Sequence, residues 1–225
     1  CADPWLFCRH KEVEVPIETA AETFSKVPVR IRDWVRQVLL FPGGNSAFAI
    51  NGNVAFIGTT SENIDVMLHE AGHGLDGFAA FGENLSESEG FLAAYDADTH
   101  VPDDYARTSQ AENVAQNVVV AVYDSNVEGG FPGIQEQYTA IENQYSYIKN
   151  LGGDNLIPGG TCNRHLENSE TVETGAVAGT ASNSTVPVSR VMRRKAKEAA
   201  PDSGFKVEYA HIVRDFVPFE HREAF

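Results

Sequence analysis

The chain has 225 residues, 42% of them apolar, and a formal net charge of −15. A surface this acidic repels nucleic acid and anionic membrane, so neither is expected as a partner. The longest apolar run, Val118 to Tyr123, is far shorter than the roughly 18 residues a membrane-spanning helix needs.

In chain order, the first predicted element is an amphipathic helix over residues 29–41, entered at Pro28 and stopped by Pro42-Gly43-Gly44. Alternating apolar and small residues on both sides of Asn51-Gly52 then predict a hairpin, with strands near 46–50 and 53–58. A helix follows from about Ser61 to Asp76, with Gly77 as its stop. Ser86 stands three before Glu89, a capping-box spacing that predicts a helix over about 87–98. Residues 100–109 read as a loop, and Thr108 or Ser109 caps a further helix to about Tyr123. Ile134, Tyr138, Ile141, Tyr145 and Ile148 form one stripe, predicting a long helix that ends at Gly152 or Gly153.

After Cys162 the character changes. Residues 167–189 carry no aromatic residue and no periodicity, as a linker would. The expected organisation is one catalytic domain over 1–165, a linker over 166–200 and a tail over 201–225. The cluster Arg190, Arg193, Arg194 and Lys195 reads as a solvated face, or as a processing site at Arg193-Arg194. Of the three cysteines, one disulfide is expected between Cys162 and either Cys1 or Cys8. The start at Cys1 is expected of a mature chain freed of a signal peptide. Sequons at Asn84 and Asn183 fit a glycoprotein, and together these features predict an extracellular, secreted protein.

The chemistry concentrates in Met67 to Phe78, MLHEAGHGLDGF. At about 100° per residue, His73 lies about 40° from His69, and Asp76 about 20° to the other side. Both imidazoles therefore leave one face of the helix, while Ile64, Met67, Leu68, Ala71 and Leu75 form the opposite, apolar one. Two imidazoles four residues apart can grip one Zn²⁺, with Glu70 in reach of a zinc-bound water. Asp76 can accept an imidazole N–H and orient a ligand. Gly72, next to the metal face, leaves room for another backbone; packing of Gly74 against a neighbouring strand is expected. A catalytic zinc needs a third protein ligand. The positions three and six beyond His73 are Asp76 and Ala79, so the metzincin pattern fails. Downstream acidic candidates are Glu83, Glu87, Glu89, Asp96, Asp98, Asp103, Asp104 and Glu112. Glu112 opens an apolar helix, where a carboxylate is costly unless paired; it also stands three after Ser109, where it would close a capping box.

The pattern His69-Glu70-x-Gly72-His73-x-x-Asp76, with Tyr105 and then Glu112 seven residues on and Ala115 three beyond, resembles the zinc-peptidase domain of anthrax lethal factor and its relatives. The resemblance covers about Ala47 to Tyr123. It implies a zincin-like α+β fold, mostly helical, with a small mixed sheet before the active-site helix. It also implies that His69, His73 and Glu112 hold Zn²⁺, that Glu70 is general base, and that Tyr105 assists the transition state. The residue after Ala115, acidic in that family, is Gln116 here. The expected function is a secreted, monomeric zinc endopeptidase acting on protein or peptide substrates through a Glu70-activated water. Two rivals are a secreted surface or structural protein with a non-catalytic zinc site, and a zinc hydrolase of non-peptide amides.

Overall fold

Asn51 and Gly52 both adopt positive φ, 51° and 78°, the backbone of a tight two-residue hairpin. The computed structural model describes residues 4–168 and 217–218, and this hairpin forms one edge of its sheet. Four strands, β1 (Leu6–Arg9), β2 (Gln37–Phe41), β3 (Ser46–Ile50) and β4 (Asn53–Ile57), are ordered β1-β2-β4-β3. The first three in that order run parallel, and β3 is antiparallel at the edge. The parallel pair β1 and β2 needs a crossover, which helices α1 (Ile17–Lys26) and α2 (Val29–Arg32) supply. The fold is thus α+β with a small mixed sheet, as the sequence led us to expect.

On the inner face of the sheet lie Val38, Leu40, Val54 and Phe56, all buried. Against them packs the apolar back of α3 (Ile64–Gly77), with Met67, Leu68, Ala71 and Leu75. Helix α4 (Glu89–Ala97) and strand β5 (His100–Val101) lead to α5 (Gln110–Asn126), which crosses α3 and buries Val114, Val118 and Val122. Helix α6 (Glu142–Gly152) closes the other side with Ile148, and β6 (Val217–Pro218) pairs antiparallel with β5. Among the described residues no helix is long and apolar enough to cross a membrane.

Three elements differ from expectation. Residues 29–41 are not one helix: α2 stops at Arg32, and Gln37–Phe41 is a parallel strand between β1 and β4. A short apolar run such as Val38-Leu39-Leu40 suits a buried strand as well as a helix, and the two neighbouring ladders decide it. Helix α4 is capped by Ser88, whose Oγ accepts from the Phe91 N–H, while Ser86 serves Asp76 instead. Helix α6 begins only at Glu142 because its cap comes from elsewhere: Asp98 accepts the N–H groups of Asn143 and Gln144 at 3.1 and 2.9 Å. Ile134 is left 42% exposed outside the helix. Strand β1 and helix α1 had no sequence-based expectation at all. Cys8 is free and exposed, and Cys162 is disulfide-bonded. The linker, most of the tail, the basic cluster and the Asn183 sequon lie outside the described residues.

Glycines hold α3 against its neighbours. A Cβ on Gly72 would lie 3.3 Å from the Ala115 Cα of α5, and one on Gly74 would lie 2.6 Å from the Trp34 carbonyl oxygen. The first agrees with the expected close approach; the second shows that Gly74 meets the turn after α2 rather than a strand. Gly74→Ala is therefore expected to destabilise by about 1–2 kcal/mol, the overpacking cost exceeding the roughly 1 kcal/mol gained in helix propensity. Gly77→Ala, with nothing within 4 Å of its added carbon, is expected to cost nothing. Urea denaturation of both variants checks this pair.

Candidate metal centre

Helix α3 presents His69 and His73 one turn apart on the face it turns away from the sheet. Helix α5 starts at its Ser109 cap, whose Oγ accepts from the Glu112 N–H at 3.2 Å. That cap fixes the first turn, and the close crossing at Gly72 carries its Glu112 side chain to the histidines. The Glu112 carboxylate (Oε2) lies 3.1 Å from His69 Nε2 and 3.0 Å from His73 Nε2. The two Nε2 atoms are themselves 3.2 Å apart. Ser109 thus makes its half of the expected capping box, but the Glu112 carboxylate does not close it and reaches the histidines instead.

Three atoms that ordinarily accept hydrogen bonds converge here. Neutral imidazole nitrogens and a carboxylate at about 3 Å repel one another unless positive charge stands between them. A proton on one ring relieves part of that, and a divalent cation relieves all of it. Zinc bonds of about 2.0–2.2 Å to nitrogen and oxygen can be drawn from one point to all three atoms. No other group of three or more His, Cys, Asp or Glu among the described residues converges in this way. A second observation points the same way: Glu70 is 5% exposed, and its Oε2 has no hydrogen-bond partner. Burial raises its carboxyl above the usual range, although the histidines nearby oppose this. A buried carboxylate with an unpartnered oxygen beside the cluster is costly, and a cation would offset that cost.

The surrounding residues tune the cluster. Burial pushes the Glu112 carboxyl up, but the His69 and His73 rings beside it outweigh this and bring the group down to about 2. Burial pushes His73 down, yet the Glu112 hydrogen bond and carboxylate charges leave it above its ordinary value. The Tyr105 ring lies 5.6 Å from that of His69, and its hydroxyl bonds to Glu112; burial first, then the Glu112 and Glu70 charges, push the phenol up to about 12. Asp76 accepts from the Ser86 N–H and Oγ–H at 2.8 and 2.6 Å, fastening the loop after α3, and acts on His73 through its charge. The group that receives the His69 Nδ1–H is Gln116 Oε1, at 3.2 Å, one turn after Glu112 on α5. In turn Gln116 Nε2 donates to Asp103. Neither role was read from the sequence, where Gln116 stood out only as a departure from an acidic residue. His165, by contrast, stacks on Trp5 at 5.4 Å, and His100 bonds to its neighbour Thr99.

The α+β domain thus brings two histidines and a glutamate from two helices close enough together that they could hold a metal ion. By comparison with known proteins, the model of the family described as conidiation-specific protein Con-13 matches residues 1–215, and the chain belongs to that family. It is similar to conidiation-specific protein 13 of Neurospora crassa, 30% identical over 180 residues, which cover 76% of this chain and 52% of the relative. The chain thus spans about half the length of that curated relative. No solved structure matches it.

The family corrects the functional expectation. The resemblance to lethal factor led to a secreted zinc endopeptidase, a metalloprotease and hydrolase, yet the family that matches nearly the whole chain is described by conidiation and not by peptidase activity. A five-residue HExxH pattern, with one tyrosine and one glutamate beyond it, is short enough to recur outside the peptidases. Glu70 as general base and Tyr105 as transition-state donor were expectations tied to that reading; the family bears on the function and not on these two residues, whose positions stand as described.

The shifted groups set a pH window for the metal-free protein. The depressed Glu112 contributes stability above its ordinary value near 4.5 and loses it as pH falls toward about 2. The raised His73 contributes below its ordinary 6.5 and loses it as pH rises past its folded value. Glu112→Gln is therefore expected to destabilise chelator-treated protein most between about pH 4.5 and 6.5, by at most about 3 kcal/mol. Thermal unfolding of wild type and variant from pH 3 to 8 measures the window.

Proposed function

We propose that this chain is a zincin-like, zinc-binding domain of a protein serving conidiation, the ion being held by His69, His73 and Glu112. The observation that carries the reading is the convergence of three acceptor atoms at 3.0–3.2 Å from two separate helices. Two histidines and a carboxylate form a donor set suited to zinc. The zincin-like part of the reading is supported by the two-histidine helix packed beneath a sheet edged by an antiparallel strand, with the third ligand on a later helix. When bound, the ion would supply positive charge and tie α3 to α5 across a sequence separation of 43. Glu70 and Tyr105 would stand beside such an ion, the first with an unpartnered oxygen and the second bonded to Glu112. The conidial role rests on the name of the Neurospora relative. An extracellular setting is supported by the disulfide-bonded Cys162 and by the sequons, since disulfides persist in oxidising compartments.

Purified wild type is expected to contain close to one zinc per chain, and His69→Ala, His73→Ala and Glu112→Ala each to lose it, as elemental analysis after dialysis would show. Adding zinc at one hundred times its dissociation constant is expected to stabilise the wild type by about 2.7 kcal/mol and the three variants hardly at all. Wild type that neither retains zinc nor gains thermal stability from it overturns the reading.

A further inference from the structure

We propose that Asp103 and Gln116 form a relay that fixes which nitrogen of His69 carries the proton, and so keeps the other free for the ion. The inference rests on the zinc reading above, but its first readout needs no metal. Gln116 is 2% exposed, so its amide must find partners within the protein. An amide has one accepting and one donating end, and sterics alone barely distinguish them. Asp103 makes the distinction. Its Oδ1 accepts from the Ala106 N–H at 2.8 Å, and its carboxylate also receives the Tyr105 N–H, so it stands fixed at the entry to α5. A carboxylate only accepts, so the Gln116 NH₂ must turn toward Asp103 Oδ2. The Gln116 oxygen is then left facing His69 Nδ1 at 3.2 Å, where it accepts a proton-bearing nitrogen and no other. His69 is held with hydrogen on Nδ1 and a lone pair on Nε2, the atom aimed at Glu112 and His73.

The same carboxylate thus orders the Tyr105 loop and orients His69. It acts at one remove, with an amide where the resemblance led us to expect an acidic side chain. Asp103 and Gln116 are positioning residues; neither is among the converging ligand atoms.

Asp103→Asn is the decisive variant. Its amide can still accept from Ala106 through Oδ1, but it presents NH₂ to Gln116. Gln116 must then turn its oxygen toward Asn and its NH₂ toward His69, which moves the imidazole proton to Nε2 and blocks the ligand position. Long-range ¹H–¹⁵N spectra of chelator-treated protein are expected to show His69 as the Nδ1–H form in wild type and the Nε2–H form in Asp103→Asn. Zinc affinity, from competition with a chromophoric chelator, is expected to fall about 10–100-fold, the usual range for loss of a ligand's orienting partner. The double variant Asp103→Asn, Gln116→Glu keeps one carboxylate in the chain, now able to accept from both neighbours, and is expected to restore the Nδ1–H form and wild-type affinity. An unchanged tautomer in Asp103→Asn, or no recovery in the double variant, overturns the relay. If the tautomer switches and reverts as stated but wild type takes up no zinc, the relay stands and the metal reading fails. Zinc bound equally by wild type and Asp103→Asn has the opposite meaning.

Discussion

The close crossing of α3 and α5 at Gly72 is the contact on which the site depends. With no side chain at Gly72, the helices meet almost backbone to backbone, 3.3 Å from a would-be Cβ to the Ala115 Cα. Glu112 stands one turn before that contact and Gln116 just after it, so one crossing sets both the carboxylate at the histidine Nε2 atoms and the amide at His69 Nδ1. A larger residue at Gly72 would lever α5 away and separate both pairs together. The roughly 1 kcal/mol that glycine costs in a helix interior is offset by this packing, not by flexibility.

Around the crossing, most of the buried polar groups are satisfied in pairs. Asp98 takes four hydrogen bonds from Asn143 and Gln144, and Asn113 links α5 to Gln144 at 2.8 Å. This network holds α6, the start of α5 and the residues around β5 in one rigid arrangement. Asp103 and Tyr105 lie in the segment it braces. Glu70 is the contrast, a buried carboxylate with one oxygen unserved. Burial dominates in raising its carboxyl, with the charges of His69 and His73 opposing the shift and that of Glu112 adding to it.

What could be read from the sequence followed from how local each determinant is. The Asn51-Gly52 turn, the face shared by His69 and His73, the Ser109 cap and the small-residue requirement at Gly72 are set within a few residues, and all were legible. The strand at Gln37–Phe41 was not, because its identity comes from partners 16 and 31 positions away in register. Nor was the start of α6, capped by Asp98 from 45 residues upstream. The Asp103–Gln116–His69 connection likewise joins three segments that only packing brings together. The functional reading went astray for a different reason: short metal-binding patterns describe what a few side chains can grip, and family membership is carried by the whole length of the chain.

Cys8 has a practical bearing on any work with this domain. It sits exposed on β1 with its thiol unpaired, beside the outward-facing Leu6, which is 41% exposed. On standing in air such a thiol couples to its twin on another molecule, or to small thiols in the buffer. A doubled mass on a non-reducing gel would then record storage history, and a serine at this position would give material whose assembly state can be taken at face value.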